Sequence, residues 1–233
     1  LGRTGGFLAA AHWNVGPDIV LLSRSLSGGH VPSSAVLMRR HIDEKLFDRM
    51  DRAVVHGSTF AKNDLAMAAG IATLGVIEQE RLIENAARMG DRLMRELAAI
   101  IPHYEMLRDV RGKGLMIGIE FGPPESFRLK ASWSLLETAN KGLFCQLITI
   151  PLFKEHKILC QVAGHASHPI KLLPALVISD MDCDWIVRAL YAVISGNQRV
   201  PGPGWYRGTH RLPTAPRRRR ARPTSSPPSP PHN

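Results

Sequence analysis

The sequence predicts an α/β fold, with part of a large α/β domain, a smaller α+β domain and a disordered tail. Short apolar runs alternate with helical patterns over the first hundred residues. After Pro102 the pattern changes to alternating strands with helices between them. The end of the chain is rich in arginine and proline. These observations place the predicted boundaries at residues 1–101, 102–197 and 198–233.

The first segment holds three short apolar runs, each bounded by turn residues. They cover residues 19–22, 35–38 and 53–55, and we predict them to be buried strands of a parallel sheet. Residues 41–51 carry apolar side chains at helical spacing. Residues 63–101 follow with two apolar helical faces, which are typical of core packing rather than of a binding device.

The second segment is predicted to be a compact α+β unit. Gly112-Lys113-Gly114 lacks the spacing of a phosphate-binding motif and is predicted to turn a hairpin. Ser179 and Asp182 have capping-box spacing at the start of the last helix. The other predicted elements are a helix over 126–141 and strands over 147–150, 158–162 and 170–173.

Composition narrows the class of protein. Apolar stretches are interrupted far short of the roughly 20 residues that cross a bilayer, and no secretion signal is visible at the start. The cysteines Cys145, Cys160 and Cys183 form neither a metal knuckle nor a disulfide framework. We therefore expect a reducing, cytoplasmic setting and no membrane association.

The net charge of +10 comes mostly from the tail. Residues 197–233 contain eight arginines, nine of the 17 prolines and no acid, which leaves +2 on the first 196 residues. Such a composition predicts disorder. The arginines suit a nucleic-acid or anionic surface, but no nucleic-acid-binding motif accompanies them. A solvated extension without a function is therefore the favoured interpretation.

Two short segments contain side chains suited to anions. The run "DIVLLSRSLSGG" delivers Arg24 at the end of a strand and continues into the flexible pair Gly28-Gly29. The run "HGSTF" presents the hydroxyls of Ser58 and Thr59 after another strand. His156, His165 and His168 have no carboxylate or cysteine at ligand spacing, and we predict no metal site.

Several runs in order resemble one family, the class III aminotransferases. They are "GRTG", "PDIV", "SRSLSGG", "HGSTF", "RGKGLMIGIE" and "KLLPALVIS", and together they span nearly all of residues 1–195. These aminotransferases are fold-type I enzymes that use pyridoxal 5'-phosphate (PLP). The rest of the sequence is similar to the acetylornithine/ornithine branch. The resemblance implies that residues 1–101 are part of the large PLP-binding domain.

The resemblance also implies roles for individual residues. Arg24 stands at the position of the catalytic Schiff-base lysine, which forms a covalent bond with the cofactor. Ser58 and Thr59 match positions that bind the cofactor phosphate, with Thr59 usually reaching across from a partner subunit. Lys171 matches an arginine near the substrate carboxylate. A homodimer that acts on an amino acid and an oxo acid is therefore expected.

The sequence departs from the family at decisive points. A guanidinium at Arg24 has no free amine lone pair and cannot condense with an aldehyde. Ser34 and Ala61 replace the usual glycines, and Leu1 lies inside the motif whose aspartate pairs with the cofactor ring. We expect the N-terminal half of the fold to be absent and transaminase activity to be little or none.

Other functions remain open at this point. One is a non-catalytic partner subunit of an intact homologue, and another is a basic-tail protein that binds anionic surfaces or nucleic acid. A PLP-dependent decarboxylase or epimerase would share the fold. A different lysine, such as Lys62, could also take the place of the missing amine.

Overall fold

A computed structural model describes residues 1–52, 57, 59–139, 143–163 and 169–199. Within these ranges the chain forms two antiparallel sheets and six α-helices. The α/β fold class is confirmed. No helix in the described part of the chain is long and apolar enough to cross a membrane.

The first sheet corrects a prediction. Strands β1 (Ile19–Ser23) and β2 (Ser34–Met38) pair antiparallel, with Ile19 opposite Met38 and Ser23 opposite Ser34. The predicted parallel arrangement is wrong because so short a connection reverses the chain, whereas a parallel crossover needs about a dozen residues or more. The strands are also not buried, since Leu21 is 76% exposed. The third predicted run, residues 53–55, lies outside the described residues.

Three helices follow, as the periodicity predicted. They are α1 (Arg40–Leu46), α2 (Asp64–Gln79) and α3 (Leu82–Ala99). Asn63 caps α2, because its side-chain oxygen accepts a hydrogen bond from the Ala66 amide at 3.1 Å. Short 3-10 turns occur at Ala9–Trp13, Ser25–Ser27, Met50–Arg52 and Ile101–His103.

Helix α2 differs from α3 in how much of its apolar surface is buried. Ala66, Gly70 and Ile77 are buried where α2 meets the Ser25–Ser27 turn and α3. Leu65 and Ile71, predicted to belong to the core, are 67% and 73% exposed. A helix that is apolar all round is typical of a buried position. The described part of the chain therefore leaves one side of α2 uncovered.

The second sheet forms the centre of the compact unit. It contains β3 (Leu107–Lys113), β4 (Met116–Phe121), β5 (Gln161–Val162) and β6 (Pro169–Leu172), in the order β3-β4-β6-β5 and antiparallel throughout. The predicted hairpin between β3 and β4 is confirmed. Its helices are α4 (Phe127–Ala139), α5 (Leu143–Lys154) and α6 (Asp180–Arg199).

Helix α5 replaces the strand predicted over residues 147–150. The β-branched side chains there favour a strand locally, but Phe144, Ile148 and Leu152 follow each other at intervals of four and are all buried. That spacing places them on one helical face against the core. Tertiary burial therefore overrides the local preference.

Pro151 lies inside α5 and removes one helical hydrogen bond. Its missing N–H would have been donated to the carbonyl of Leu147, four residues earlier. The side-chain amide of Asn197, on α6, donates to that carbonyl at 3.4 Å. The neighbouring helix thus satisfies the acceptor that the proline leaves open.

One hydrophobic core joins α3 to the second sheet and its helices. Ile117, Ile119 and Phe121 of β4 are buried, while Gly118 and Glu120 between them are half-buried. The alternation means that one sheet face meets the core and the other is open. Within the described ranges all members of this core lie between residues 86 and 194. The domain division at residue 101 stays a prediction.

The predicted capping box opens α6. The Ser179 amide and hydroxyl donate to the Asp182 carboxylate at 2.9 and 2.7 Å, and the Asp182 amide donates to the Ser179 hydroxyl at 3.3 Å. The two hydrogen bonds from Ser179 lower the pKa of Asp182 below its ordinary value of 3.8.

A charged cluster fastens α6 to α3. Arg92 of α3 donates to Asp180 at 2.8 Å and also pairs with Asp184 of α6 and with Glu96. Arg88 contacts Asp180 at 3.1 Å. Hydrogen bonds from Arg88 and Arg92 hold the pKa of Asp180 below its ordinary value. Because the cluster is largely exposed, its ion pairs contribute little to the free energy of folding. Its main effect is to orient α6 relative to α3.

A close contact between backbones fixes the β3–β4 turn on α3. A side chain at Gly90 would overlap the carbonyl group of Gly114, which has φ +53°. On the other side of the turn, the Leu115 amide donates to the Arg3 carbonyl at 2.8 Å. The turn is therefore held between α3 and the N-terminal loop.

We expect the Gly90→Ala variant to unfold more easily than the wild type. The new methyl group meets backbone that cannot move aside, and overpacking of this kind costs about 1–3 kcal/mol. Gly75→Ala on α2 is the matched control, because a Cβ at Gly75 meets no atom within 4 Å. That change should stabilise by about 0.5–1 kcal/mol. Urea unfolding gives the free energy of unfolding of both variants. Equal changes in that free energy would contradict a close backbone contact at Gly90.

Candidate functional site

Arg24 follows β1 directly and has an unusual backbone conformation. Its φ and ψ are 54° and −63°, and its amide donates to the Ser33 carbonyl at 3.0 Å. Positive φ is uncommon for a residue other than glycine, and residues in sparsely populated regions persist only where their surroundings impose them. Arg24 is exposed. The chain therefore presents this guanidinium from a constrained position at the end of a strand.

The loop after Arg24 is anchored on α2. Ser27 is fully buried, its hydroxyl contacts the Val31 carbonyl, and the Val31 amide donates to it at 3.4 Å. Gly28 and Gly29 have φ values of 65° and 86°, which a side chain would strain. A Cβ at Gly28 would lie 3.3 Å from the Thr73 hydroxyl of α2. The helix therefore supports the backbone from which Arg24 projects.

Ser33 carries a buried polar atom without a partner. Its hydroxyl forms no hydrogen bond in the described part of the molecule, although its carbonyl accepts the Arg24 amide. Buried hydroxyls are nearly always hydrogen-bonded, so an orphaned one calls for an explanation. The sequence analysis did not identify this serine, since two adjacent serines after a proline give no distinctive signal.

The predicted phosphate contacts lie before α2. Thr59 belongs to an exposed turn four residues ahead of the Asn63 cap. Ser58 and His56 lie outside the described residues. Lys62, in the same turn as Thr59, is exposed with φ 59°. Thr59 forms no hydrogen bond with Arg24 in the part of the chain that the structure describes.

Lys171 lies on β6, between Gly118 of β4 and Gln161 of β5. Its neighbours Ile170 and Leu172 are buried in the core. Because successive side chains of a strand point to opposite faces, Lys171 is on the open face of the sheet. It is half-buried and forms no ion pair within the described ranges.

An arginine shares the open face with Lys171. Arg111 of β3 lies opposite Gly118 and pairs with Asp109 at 2.8 Å and with Glu120. The hydrogen bonds that Arg111 donates to Asp109 and Glu120 raise its pKa. Arg111 is thus neutralised by its own neighbours, whereas the ammonium group of Lys171 is available to an anion.

The N-terminal loop connects to the end of β6 through Arg3. Its guanidinium donates to the Pro174 carbonyl at 2.7 Å, across a sequence separation of 171 residues. Pro174 follows Lys171 by three residues. This hydrogen bond therefore holds the segment after β6 against the N-terminal loop. No local sequence pattern predicts this contact, because the two residues are so far apart in the chain.

The cysteines do not contribute a nucleophile. Burial raises the pKa of Cys145 to about 12 and that of Cys160 to about 11. The pKa of Cys183 is raised to about 11, chiefly by burial. Thiols with such pKa values stay protonated near neutral pH and react poorly. Among the described residues no group of three or more His, Cys, Asp or Glu side chains could hold a metal.

The predicted site residues thus lie on separate elements. Arg24 belongs to the first sheet, Thr59 to the turn before α2 and Lys171 to the second sheet. No hydrogen bond or ion pair joins them within the described ranges. Within the described part of the chain Arg24 and Lys171 have no ion pair and the Thr59 hydroxyl is exposed, which suits anionic groups such as phosphate and carboxylate.

Comparison with known proteins identifies the family. The family model described as aminotransferase class-III matches residues 1–194. Diaminobutyrate–2-oxoglutarate aminotransferase of Rhizobium meliloti is 36% identical over 192 residues, covering 82% of this chain and 38% of that protein. Ornithine aminotransferase 1 of Staphylococcus saprophyticus is 35% identical over 194 residues, covering 83% and 42%.

Solved structures agree with the sequence comparison. The acetylornithine aminotransferase of Elizabethkingia anophelis superimposes with a TM-score of 0.64 at 32% identity, covering 84% of this chain and 43% of that one. The ornithine aminotransferase of Toxoplasma gondii gives 0.66 at 30% identity, covering 85% and 41%. This chain therefore spans about two fifths of the length of its relatives. It belongs to the class III aminotransferases, an α/β family whose members depend on PLP.

Proposed function

We propose that this chain is an aminotransferase-type protein that binds anionic ligands at the positions its family uses but does not complete amino transfer. The observation that carries the proposal is Arg24 at the end of β1. By resemblance this is the position of the family's catalytic lysine. A guanidinium stays protonated and has no lone pair to offer an aldehyde, so the covalent step has no nucleophile there.

The residues present fit one part of the cofactor and not the other. PLP carries a phosphate and an aldehyde, and when bound it supplies an electron sink for chemistry at the substrate carbon. By resemblance the Thr59 hydroxyl suits the phosphate, and position 24 is where the aldehyde would be held. The aldehyde finds no amine at position 24. We therefore derive no transfer step through the cofactor in this chain.

Lys171 is the proposed contact for a substrate carboxylate. It is half-buried on the open face, adjoins a glycine that leaves space beside it, and forms no ion pair among the described residues. A charge-assisted hydrogen bond from an ammonium to a carboxylate is about twice as strong as a neutral one. The relatives named for ornithine and 2-oxoglutarate suggest amino and oxo acids as ligands.

A second candidate function is that of a non-catalytic subunit. The exposed apolar side chains of α2 and the first sheet support it. The side chains of Leu21, Leu65 and Ile71 are 76%, 67% and 73% exposed. Extended apolar patches of this kind mark association surfaces. Association with an intact homologous subunit, in the manner of the dimers common in the family, would cover them. The nucleic-acid alternative concerns residues 200–233, which lie outside the described residues, and it stays a prediction, as does the cytoplasmic location.

We expect no amino transfer from ornithine to 2-oxoglutarate by the purified chain with added PLP. The measurement is glutamate formation over hours at high protein concentration. The ornithine aminotransferase of Staphylococcus saprophyticus serves as the positive control under the same conditions. Glutamate formation that scales with the concentration of this chain would refute the proposal.

The Lys171→Met variant should bind 2-oxoglutarate more weakly by about tenfold or more, since a hydrogen bond to a charged group contributes about 1.5–3 kcal/mol. Lys130→Met on α4 is the matched control, because it removes the same charge from an exposed helix position. Calorimetric titration compares the two. Equal affinities of the two variants for 2-oxoglutarate would show that Lys171 does not contact the carboxylate.

If α2 is an association surface, Ile71→Glu should shift the chain from dimer to monomer in light scattering. The new charge would have to be desolvated on association, at a cost of several kcal/mol. Glu78→Gln on the same helix is the control and should leave the mass unchanged. A monomeric wild type would show that this surface does not join two copies of the chain.

A further inference from the structure

A cleft lies beside the last turns of α6. It has two adjoining parts, of about 570 and 500 Å³, and His103, Tyr104 and Gln198 line both of them. Clefts that hold ligands are about 300–1,000 Å³ in volume. Arg24, Thr59 and Lys171 do not line this cleft. It is therefore separate from the positions that the proposed function uses.

One part of the cleft has an aromatic wall. Tyr191 of α6 is 49% exposed there, and its ring packs edge-on against the ring of Tyr104, with the centroids 5.9 Å apart. The Tyr104 hydroxyl is hydrogen-bonded to the hydroxyl of Ser195, one turn after Tyr191. Tyr104 is thus held in place, and the exposed part of the Tyr191 ring is open to contact with a further aromatic side chain.

Gln198 carries a buried oxygen in the wall that the two parts share. This oxygen has no hydrogen-bond partner in the described part of the molecule. The side-chain nitrogen of Gln198 donates to the His103 carbonyl at 3.4 Å. Buried polar atoms are nearly always hydrogen-bonded, so the oxygen calls for an explanation. Because an amide oxygen can only accept, the partner that suits it is an N–H or O–H donor.

The other part of the cleft has an acidic edge. Glu105 accepts the backbone amides of Glu125 and Ser126 at 3.1 and 2.8 Å, and these bonds hold it at the start of α4. Glu125 lines the cleft as well, and its side chain is exposed and forms no ion pair within the described ranges. The cleft therefore presents an aromatic ring, an unused acceptor and a carboxylate.

The segment that follows α6 is close enough to reach this cleft. The helix extends to Arg199, one residue after Gln198, and the sequence continues with "VPGPGWYR" over residues 200–207. Proline–glycine pairs are typical of turns, which can direct the chain back along the helix. Trp205 follows Arg199 by six residues, and a chain of that length spans at most about 20 Å.

Trp205 and Arg207 complement the three features of the cleft. An indole N–H is a donor only and usually finds an acceptor when it is buried, which matches the Gln198 oxygen. In an extended segment, side chains two residues apart point to the same side, so Arg207 accompanies Trp205 toward the acidic edge. Because the segment belongs to the same chain, its effective concentration at the cleft is high and modest contacts suffice.

We infer that residues 201–207 dock into this cleft of their own chain. Trp205 packs on Tyr191 and donates its indole N–H to the Gln198 oxygen, and Arg207 pairs with Glu125. The inference goes beyond the proposed function and does not depend on it, since no residue of the candidate site takes part. It assigns a binding surface to the first part of the tail and leaves the arginine-rich remainder outside the cleft.

The test is ¹⁹F NMR of the full chain labelled with 5-fluorotryptophan. The sequence contains four tryptophans, and the Trp205→Phe variant identifies the Trp205 signal by its loss. The shift of that signal between H2O and D2O measures the contact of the ring with solvent. In the wild type this solvent shift should be about a third or less of that of free 5-fluorotryptophan, because the docked form is the more populated one.

Gln198→Met removes the acceptor and keeps a side chain of similar size. An indole N–H that is buried without a partner weakens docking by about tenfold, so the solvent shift of Trp205 should approach that of the free amino acid. Gln79→Met is the matched control, because Gln79 is exposed at the end of α2. Tyr191→Ala removes the aromatic wall at a half-exposed position and should also release Trp205. The other three tryptophan signals should keep their places in every variant.

Each outcome of this experiment decides the inference. A solvent shift of Trp205 in the wild type equal to that of the free amino acid would overturn it. Shielding that persists in both Gln198→Met and Tyr191→Ala would do the same, because Trp205 would then be buried elsewhere. Shielding that is lost on dilution would place the segment in the cleft of another copy and overturn docking within one chain. Shielding that is independent of concentration and is lost in both variants is the expected result.

Discussion

The contact between Gly90 and Gly114 is the constraint on which the compact part of the structure depends. With no side chain on either residue, α3 and the β3–β4 turn approach at backbone distance. The turn then bonds to Arg3, whose guanidinium reaches the loop after β6. The close approach thus seats the β3–β4 turn on α3, and Arg3 links that turn to the loop after the strand that carries Lys171.

The first sheet and α2 lack an equivalent constraint. Their apolar side chains are distributed on more than one face, and Leu21 and Ile71 remain largely exposed. Elements of this composition are stable when both sides are covered. Among the described residues of this region, the loop that carries Arg24 is supported by the packing of its turn on α2. The loop that carries Arg24 is thus anchored within a surface whose apolar side chains are largely exposed.

Sequence periodicity predicted α3, the β3–β4 hairpin and the capping box of α6, because each depends on contacts between residues close in the chain. It failed at residues 147–150, where burial of Phe144, Ile148 and Leu152 outweighed the strand preference of β-branched side chains. It also failed on the direction of β2, since an apolar run does not reveal its partner. Arg24 and Lys171 could be singled out by resemblance, whereas the Arg3–Pro174 contact and the orphaned Ser33 hydroxyl depend on tertiary structure that no local pattern encodes.

The replacement of an amine by a guanidinium separates two properties that a lysine combines. An ammonium or amine can attract a phosphate and also react with a carbonyl, depending on its protonation. A guanidinium keeps the attraction and loses the reaction at every accessible pH. The position of Arg24 retains the features that orient a side chain toward a ligand, which are a strand end, an imposed backbone conformation and an anchored loop. If the site had lost all function, these supporting contacts would serve no ligand. Their presence around a guanidinium is the reason for proposing that this chain binds anions without reacting with them.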